Sequence, residues 1–133
     1  MKQLSVFLEN REGRLSDVLQ ILAANNINIL SLSLADTSEY GMLRLLVSDP
    51  EAGRKALRDH SMSATLTEIL AVKMSHEVGS LQKILTMLCE AGINIEYMYA
   101  LCTGTEEAAL AIKTSDPEVA TSVLQRAGVK FYE

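Results

Sequence analysis

The sequence predicts an α+β protein in which one βαββαβ unit occurs twice, each unit being an antiparallel sheet with two helices on one face. Three observations predict this class: an internal repeat, a change from strand to helix periodicity within each repeat, and an Asp-Pro pair that opens a helix in each. The chain has 133 residues, 48% hydrophobic and 22% charged, as is typical of folded globular proteins.

The repeat consists of glycine, asparagine and apolar residues that recur 66 positions later. Its two copies are Gly13, Leu15, Leu19, Leu22, Ile27, Asn28, Ile29 and Gly79, Leu81, Leu85, Leu88, Ile93, Asn94, Ile95. Ser48-Asp49-Pro50 recurs as Ser115-Asp116-Pro117 with a spacing of 67, which places one inserted residue in the hairpin loop. We therefore predict two domains, residues 1–67 and 68–133. Because units this small are marginal alone, each should pack against another unit or a second chain.

Each unit begins with a strand and an amphipathic helix. The apolar residues of the strand alternate with other residues, and those of the helix follow the i, i+3, i+4, i+7 spacing. The strand residues are Leu4, Val6, Leu8 and Leu70, Val72, Met74. The helix residues are Leu15, Val18, Leu19, Leu22 and Leu81, Ile84, Leu85, Leu88.

A hairpin, a second helix and a last strand complete each unit. Polar breaks at residues 37–39 and 103–106 predict the hairpin turns. Asp49-Pro50 and Asp116-Pro117 predict helix starts, because Asp accepts free N–H groups and Pro suits the first helical position. Gly128 should end the last helix before a strand at residues 129–132. The resulting order is that of a ferredoxin-like sandwich.

Composition argues against nucleic-acid and membrane partners. The formal net charge is −5, and the chain has no Trp, two Phe and four Tyr, whereas an RNA-recognition module needs a basic surface and aromatic strands. No apolar run reaches the roughly 20 residues that a membrane span needs, and the start does not read as a signal peptide. We therefore expect a cytoplasmic protein.

No catalytic residue, metal ligand or cofactor is predicted. Cys89 and Cys102 match no CxxC spacing, so we expect them to be buried packing residues, and a copper chaperone is disfavoured. His60 ends a helix and is interpreted as a partner of the helix dipole. An acylphosphatase-like hydrolase stays open as an alternative because Arg11 lies in the first loop, although only one unit has this arginine and no water-activating partner accompanies it.

The candidate binding residues lie in the loop before the first helix of each unit and at the start of the next strand. Gly13 and Gly79 either allow a tight turn or bring the helix N–H groups to a ligand carboxylate. Asn10 precedes Gly13, while Asn28 and Asn94 start the following strands, where they either close a local turn or contact a ligand. An amide accepts from an ammonium and donates to a carboxylate, so these residues suit a zwitterion.

These segments resemble the ACT domain, a regulatory module that senses small ligands, usually amino acids. The resemblance covers the whole chain as two copies and is closest to the serine-sensing ACT domains of phosphoglycerate dehydrogenases, whose loop reads His-x-Asn-x-Pro-Gly. It is carried by Glu9-Asn10-Arg11-Glu12-Gly13-Arg14-Leu15 with Ile27-Asn28-Ile29, and by His76-Glu77-Val78-Gly79-Ser80-Leu81 with Ile93-Asn94-Ile95.

In that family the loop asparagine of one domain and the strand-start asparagine of a neighbouring domain hold the amino acid. The resemblance therefore implies these ligand-binding residues: Asn10, Arg11, Glu12, Gly13, Asn28, His76, Gly79 and Asn94. Side-by-side pairing of the units would set Asn10 against Asn94 and His76 against Asn28. The chain departs from the motif at three places. Leu8 replaces the loop histidine, and His76 replaces the asparagine of the second loop. Glu12 and Val78 replace the proline before the glycine.

The resemblance implies a regulatory protein without catalytic activity. It would bind an amino acid or a similar small metabolite, form a homodimer, and act allosterically on a metabolic enzyme. The alternative from another class is a structural regulatory subunit that binds its enzyme constitutively and has lost the ligand.

Overall fold

The computed structural model describes residues 1–36, 39–75, 77–101 and 107–132, which form two compact units. The N-terminal unit is Lys2–Thr67, and the C-terminal unit is Glu68–Glu133 together with Met1. Each has an antiparallel sheet with helices, and the element order repeats, so the predicted α+β class is confirmed. The second predicted hairpin turn lies outside the described residues, as do His76 and Cys102.

The N-terminal unit contains a four-stranded sheet in the order β2-β3-β1-β4. Its elements are β1 Lys2–Glu9, α1 Arg14–Ala24, β2 Ile29–Asp36, β3 Tyr40–Val47, α2 Pro50–Asp59 and β4 Ser63–Glu68. The predicted alternation is confirmed, because Leu4 and Val6 are fully buried and Leu8 is nearly so. They join Leu22 of α1 and Leu57 of α2 in one apolar core on the helix-bearing face of the sheet.

The C-terminal unit contains a three-stranded sheet in the order β5-β7-β6. Its elements are β5 Leu70–Met74, α3 Ser80–Glu90, β6 Ile95–Leu101, β7 Ala108–Thr114 and α4 Pro117–Arg126. Its core includes Val72 of β5, Leu88 of α3, Ile112 of β7 and Leu124 of α4, which are all fully buried. The two units thus bury equivalent sets of side chains.

In place of the strand predicted at residues 129–132, the chain forms only a single bridge to β5. Phe131 forms an isolated bridge with Val72. Two backbone bonds flank it, from Lys73 N–H to Lys130 O at 2.8 Å and from Tyr132 N–H to Ala71 O at 2.7 Å. The segment lies at the edge of β5, but its hydrogen bonds are too few to make the predicted strand.

The expectation of buried cysteines is wrong for Cys89, whose side chain is exposed. On α3 the buried residues are Ile84 and Leu88, which are one turn apart. Cys89 follows Leu88 and is rotated by about 100° around the helix axis, so its side chain leaves the apolar face.

The two Asp-Pro helix starts are confirmed, and we predict a measurable contribution from each cap. Asp49 Oδ1 accepts from Ala52 N–H at 3.1 Å, and Asp116 Oδ1 accepts from Val119 N–H at 3.2 Å. Asp49→Ala should lower the free energy of unfolding by about 1 kcal/mol, because that N–H loses its acceptor. Denaturant unfolding measures this loss, and Asp49→Asn, which keeps an acceptor, is the control. An equal loss in both variants would contradict the capping role.

Candidate functional site

The first candidate loop, residues 10–13, connects β1 to α1. Gly13 has φ 86° and occupies the N-cap position of α1, a left-handed conformation that glycine adopts without strain. Asn10 N–H donates to Glu39 O at 2.8 Å, which ties the loop to the start of β3. Asn10, Arg11, Glu12 and Gly13 therefore lie together in one exposed turn at the N-terminus of a helix.

Arg11 provides an exposed cation in this loop. Its Nε lies 3.3 Å from Glu9 Oε2, and the two side chains are 62% and 56% exposed. An ion pair this exposed contributes little to the free energy of folding. The guanidinium can therefore exchange Glu9 for another carboxylate with little loss of stability. Its planar fork of donors suits two-point contact with a ligand carboxylate.

The helices that follow the candidate loops begin differently from the other two helices. In α2 and α4 the side chains of Asp49 and Asp116 accept a hydrogen bond from an N–H of the first turn. At the start of α1 and α3 no side chain of the described residues does so. Gly79, at the start of α3, has φ 88° and repeats the turn of Gly13. The first N–H of each helix is satisfied within its turn, because Arg14 N–H donates to Arg11 O at 3.4 Å and Ser80 N–H donates to Glu77 O at 3.2 Å. The N–H groups that follow in the first turn have no side-chain cap among the described residues and suit water or an anionic ligand group.

A surface depression of about 410 Å³ lies at the second loop, beside the start of α3. It is lined by Met74, Ser75, Glu77, Gly79, Ser80, Leu81, Gln82 and Leu85. The hydroxyls of Ser75 and Ser80 are 2.7 Å apart and hydrogen-bonded to each other across the loop. Apart from Gly79, sequence reasoning did not single out these residues as candidates. The two serines that flank the loop were the only indication in the sequence.

Asn28 and Asn94 have the same backbone environment in the two units. Asn28 N–H donates to Ser48 Oγ at 2.9 Å, and Ser48 N–H donates to Asn28 O at 2.9 Å. The corresponding distances between Asn94 and Ser115 are 3.2 and 3.0 Å. The backbone and the serine hydroxyl thus make the local contacts. The exposed side-chain amides have no hydrogen-bond partner among the described residues.

Within a unit, the loop and the strand-start asparagine lie at opposite ends of the sheet. Glu9, at the end of β1, pairs with Tyr40 at the start of β3, while Ile29, next to Asn28, pairs with Val47 at the end of β3. At 3.3 Å per residue, β3 separates the two places by about 23 Å.

The C-terminal unit has the same arrangement. Met74, near the second loop, pairs with Ala108 at the start of β7, and Ile95, next to Asn94, pairs with Thr114 at its end. An amino acid is much shorter than either strand. The asparagine and the loop of one unit therefore cannot hold the same ligand molecule.

Two other kinds of site were sought in the described part of the chain. No three His, Cys, Asp or Glu side chains there are grouped closely enough to bind a metal ion. None of the helices in those residues is both long and apolar enough to cross a membrane.

Comparison with solved structures shows close likeness over nearly the whole chain. A protein of Bacteroides thetaiotaomicron is 37% identical, with a TM-score of 0.92, and the match covers 98% of this chain and 90% of that one. The regulatory subunit of aspartate kinase from Thermus thermophilus is 17% identical, with a TM-score of 0.67 and coverage of 95% and 91%. A structure of aspartokinase alpha and beta subunits is 21% identical, with a TM-score of 0.62 and coverage of 96% and 91%. The last two likenesses concern the fold alone.

Comparison with protein families agrees with this result. No curated protein matches the chain. A family model described as an ACT domain pair matches residues 1–133. Since the match extends over the whole sequence and the C-terminal unit repeats the βαββα order of the N-terminal one, the chain belongs to the family of ACT domain pairs.

Proposed function

We propose that this ACT domain pair is a regulatory protein that binds an amino acid or a similar small metabolite and thereby acts on a metabolic enzyme. The observation that carries the proposal occurs in both units. A left-handed glycine turn precedes a helix that no described side chain caps, and the next strand is preceded by an asparagine whose amide has no partner within the described ranges. The helix start suits a carboxylate, and an amide suits both charged groups of a zwitterion.

The proposed site needs two domains. Because the loop and the strand-start asparagine of one unit are about 23 Å apart, a ligand that contacts both types of residue must lie between neighbouring domains. We propose that Asn10, Arg11, Glu12 and Gly13 bind through the first loop, His76 and Gly79 through the second, and Asn28 and Asn94 from strand starts. A homodimer would supply further domains for such contacts. The pairing of Asn10 with Asn94 and of His76 with Asn28 stays a prediction.

Regulation follows if the ligand binds two arrangements of the domains with different affinity. A ligand that stabilises one arrangement shifts the population toward it, by no more than its differential binding free energy. The enzyme that prefers that arrangement then binds more tightly. No catalytic step by the chain itself is required.

Thermal unfolding with each of the twenty amino acids at millimolar concentration tests the proposal. A ligand at 100 times its dissociation constant stabilises the folded state by about 2.7 kcal/mol, which raises Tm by several degrees for a protein of this size. We expect one amino acid, or a few related ones, to do so. If all twenty leave Tm unchanged, amino-acid sensing is ruled out and a constitutive structural subunit becomes the better account.

A further inference from the structure

A second surface depression, of about 440 Å³, lies beside helix α1 and the end of helix α2 in the N-terminal unit. This volume is within the range of small-molecule sites. The lining includes four polar residues, Arg14, Asp17, Gln20 and His60, and the apolar residues Ile21 and Met62. None of the six belongs to the candidate residues of the loops and strand starts. The depression therefore has no assigned role so far.

The guanidinium of Arg14 has unused hydrogen-bonding capacity. Its Nε is buried and has no hydrogen-bond partner in the described part of the chain. Its Nη1 lies 3.5 Å from Asp17 Oδ2, which is longer than the about 2.7–2.9 Å of a strong charge-assisted hydrogen bond. A buried donor that lacks an acceptor costs free energy. A ligand carboxylate at Arg14 would remove that cost.

His60 and Gln20 add acceptors to the same depression. His60 is the C-cap residue of α2, and its Nδ1 donates to Ala56 O at 2.9 Å, since a carbonyl oxygen can only accept. In the neutral ring Nε2 is then an acceptor, and it has no partner among the residues that the structure describes. The amide oxygen of Gln20 is a further acceptor. These atoms suit a ligand that donates, such as an ammonium group.

The charges at the depression are balanced. Arg14 supplies a positive charge and Asp17 a negative one, and their side chains are 24% and 50% exposed. Asp59, next to His60, is already paired with Lys55 at 3.1 Å. A ligand with only a negative charge would be repelled by Asp17, and one with only a positive charge by Arg14. A zwitterion can be attracted by both.

The C-terminal unit does not repeat this set of polar residues. Ser80 stands at the position equivalent to Arg14, as the first residue of its helix. Ala127, the C-cap residue of α4, stands at the position equivalent to His60. The repeated fold therefore does not require an arginine or a histidine at these places, and their presence in the N-terminal unit needs another reason.

We propose that this depression is an amino-acid site contained within one unit, and that it takes amino acids with apolar side chains. The ligand carboxylate accepts from Arg14, and the ligand ammonium donates to Asp17 and His60. The apolar side chain packs against Ile21 and Met62. This site is separate from the two-domain site proposed above, and neither depends on the other.

The experiment titrates the full chain with L-leucine and, separately, with L-methionine, while NMR follows the ring protons of His60. The spectrum of His60→Ala assigns these signals. Isocaproate, which is leucine without its ammonium group, and isoamylamine, which is leucine without its carboxylate, are the comparisons. We expect a saturable shift of the His60 signals with the amino acids and an affinity at least about tenfold lower for both analogues.

Arg14→Ser and Asp17→Asn are the key variants, and Arg14→Ser installs the residue that the C-terminal unit has. Each should weaken leucine binding by about tenfold or more. Lys83→Ala changes the position equivalent to Asp17 in the other unit and should have no effect.

Three results would overturn the proposal. The first is that neither amino acid shifts the His60 signals, and the second is that isocaproate or isoamylamine binds as tightly as leucine. The third is that the folded Arg14→Ser and Asp17→Asn variants bind leucine unchanged. If that unchanged binding is lost in Asn94→Ala, the amino acid binds at the two-domain site instead, and the proposed function stands without this second site.

Discussion

Leu57→Ala is expected to lower the free energy of unfolding by about 3 kcal/mol, the largest stability effect that we predict. Leu57 of α2 is fully buried against the sheet, in the same core as Leu4 and Leu22. Truncation removes buried methyl groups and leaves a cavity, because close-packed neighbours relax only in part. Denaturant unfolding followed by circular dichroism measures the change.

Leu124→Ala is the matched variant in the second core. Leu124 of α4 holds the position equivalent to Leu57 and is also fully buried, so we expect a loss of similar size. Leu34→Ala is the surface control, because Leu34 of β2 is 48% exposed. Its loss should stay below about 1 kcal/mol. If Leu34→Ala costs as much as Leu57→Ala, the core described here is not what stabilises the N-terminal unit.

Asn94→Ala is expected to weaken amino-acid binding by about tenfold or more while leaving the stability of the free protein nearly unchanged. The amide would lose hydrogen bonds to charged groups of the ligand, each worth about 1.5–3 kcal/mol. The free protein loses little because Asn94 is held through its backbone by Ser115. The amino acid that raises Tm serves as the probe, and the shift in Tm is compared between the variant and the unchanged protein.

Asn28→Ala is the equivalent change in the other unit and reveals whether both strand starts bind ligand. Ser115→Ala is a control that should change stability, in contrast to Asn94→Ala. Its hydroxyl accepts from Asn94 N–H at 3.2 Å, so its removal should lower stability, by roughly 1 kcal/mol. A stability loss in Asn94→Ala as large as that in Ser115→Ala would show that the asparagine has a structural role.

Local patterns were enough to predict the architecture. The alternation of Leu4, Val6 and Leu8 and the Asp49 and Asp116 caps depend on neighbours in sequence, and the structure confirms them. The duplication added a second, independent copy of each pattern. This explains why the element order could be read from one sequence.

Features that depend on geometry over longer distances were less predictable. Helical rotation exposes Cys89 although its neighbour Leu88 is buried. The depression at the second loop depends on Ser75 and Ser80, which polar composition alone does not distinguish from other surface serines.

Helix α1 lies between the first loop and Asn28, and at 1.5 Å per residue its length alone keeps them roughly 16 Å apart. The periodicity that predicts the helix therefore already indicates the separation, and the strand register extends it to about 23 Å. The same register sets Asn94 apart from the second loop. The residue types of the site and the separation of loop from asparagine within a unit could thus be predicted, whereas the pairing of Asn10 with Asn94 and of His76 with Asn28 stays a prediction.

The most direct test of the central claim is a calorimetric titration of the unchanged protein with the amino acid that raises Tm most. The account predicts saturable binding, with a dissociation constant that reproduces the observed stabilisation through the linkage relation. A titration that shows no saturable heat at several temperatures, while the protein is folded, would contradict the claim that this ACT domain pair is an amino-acid sensor.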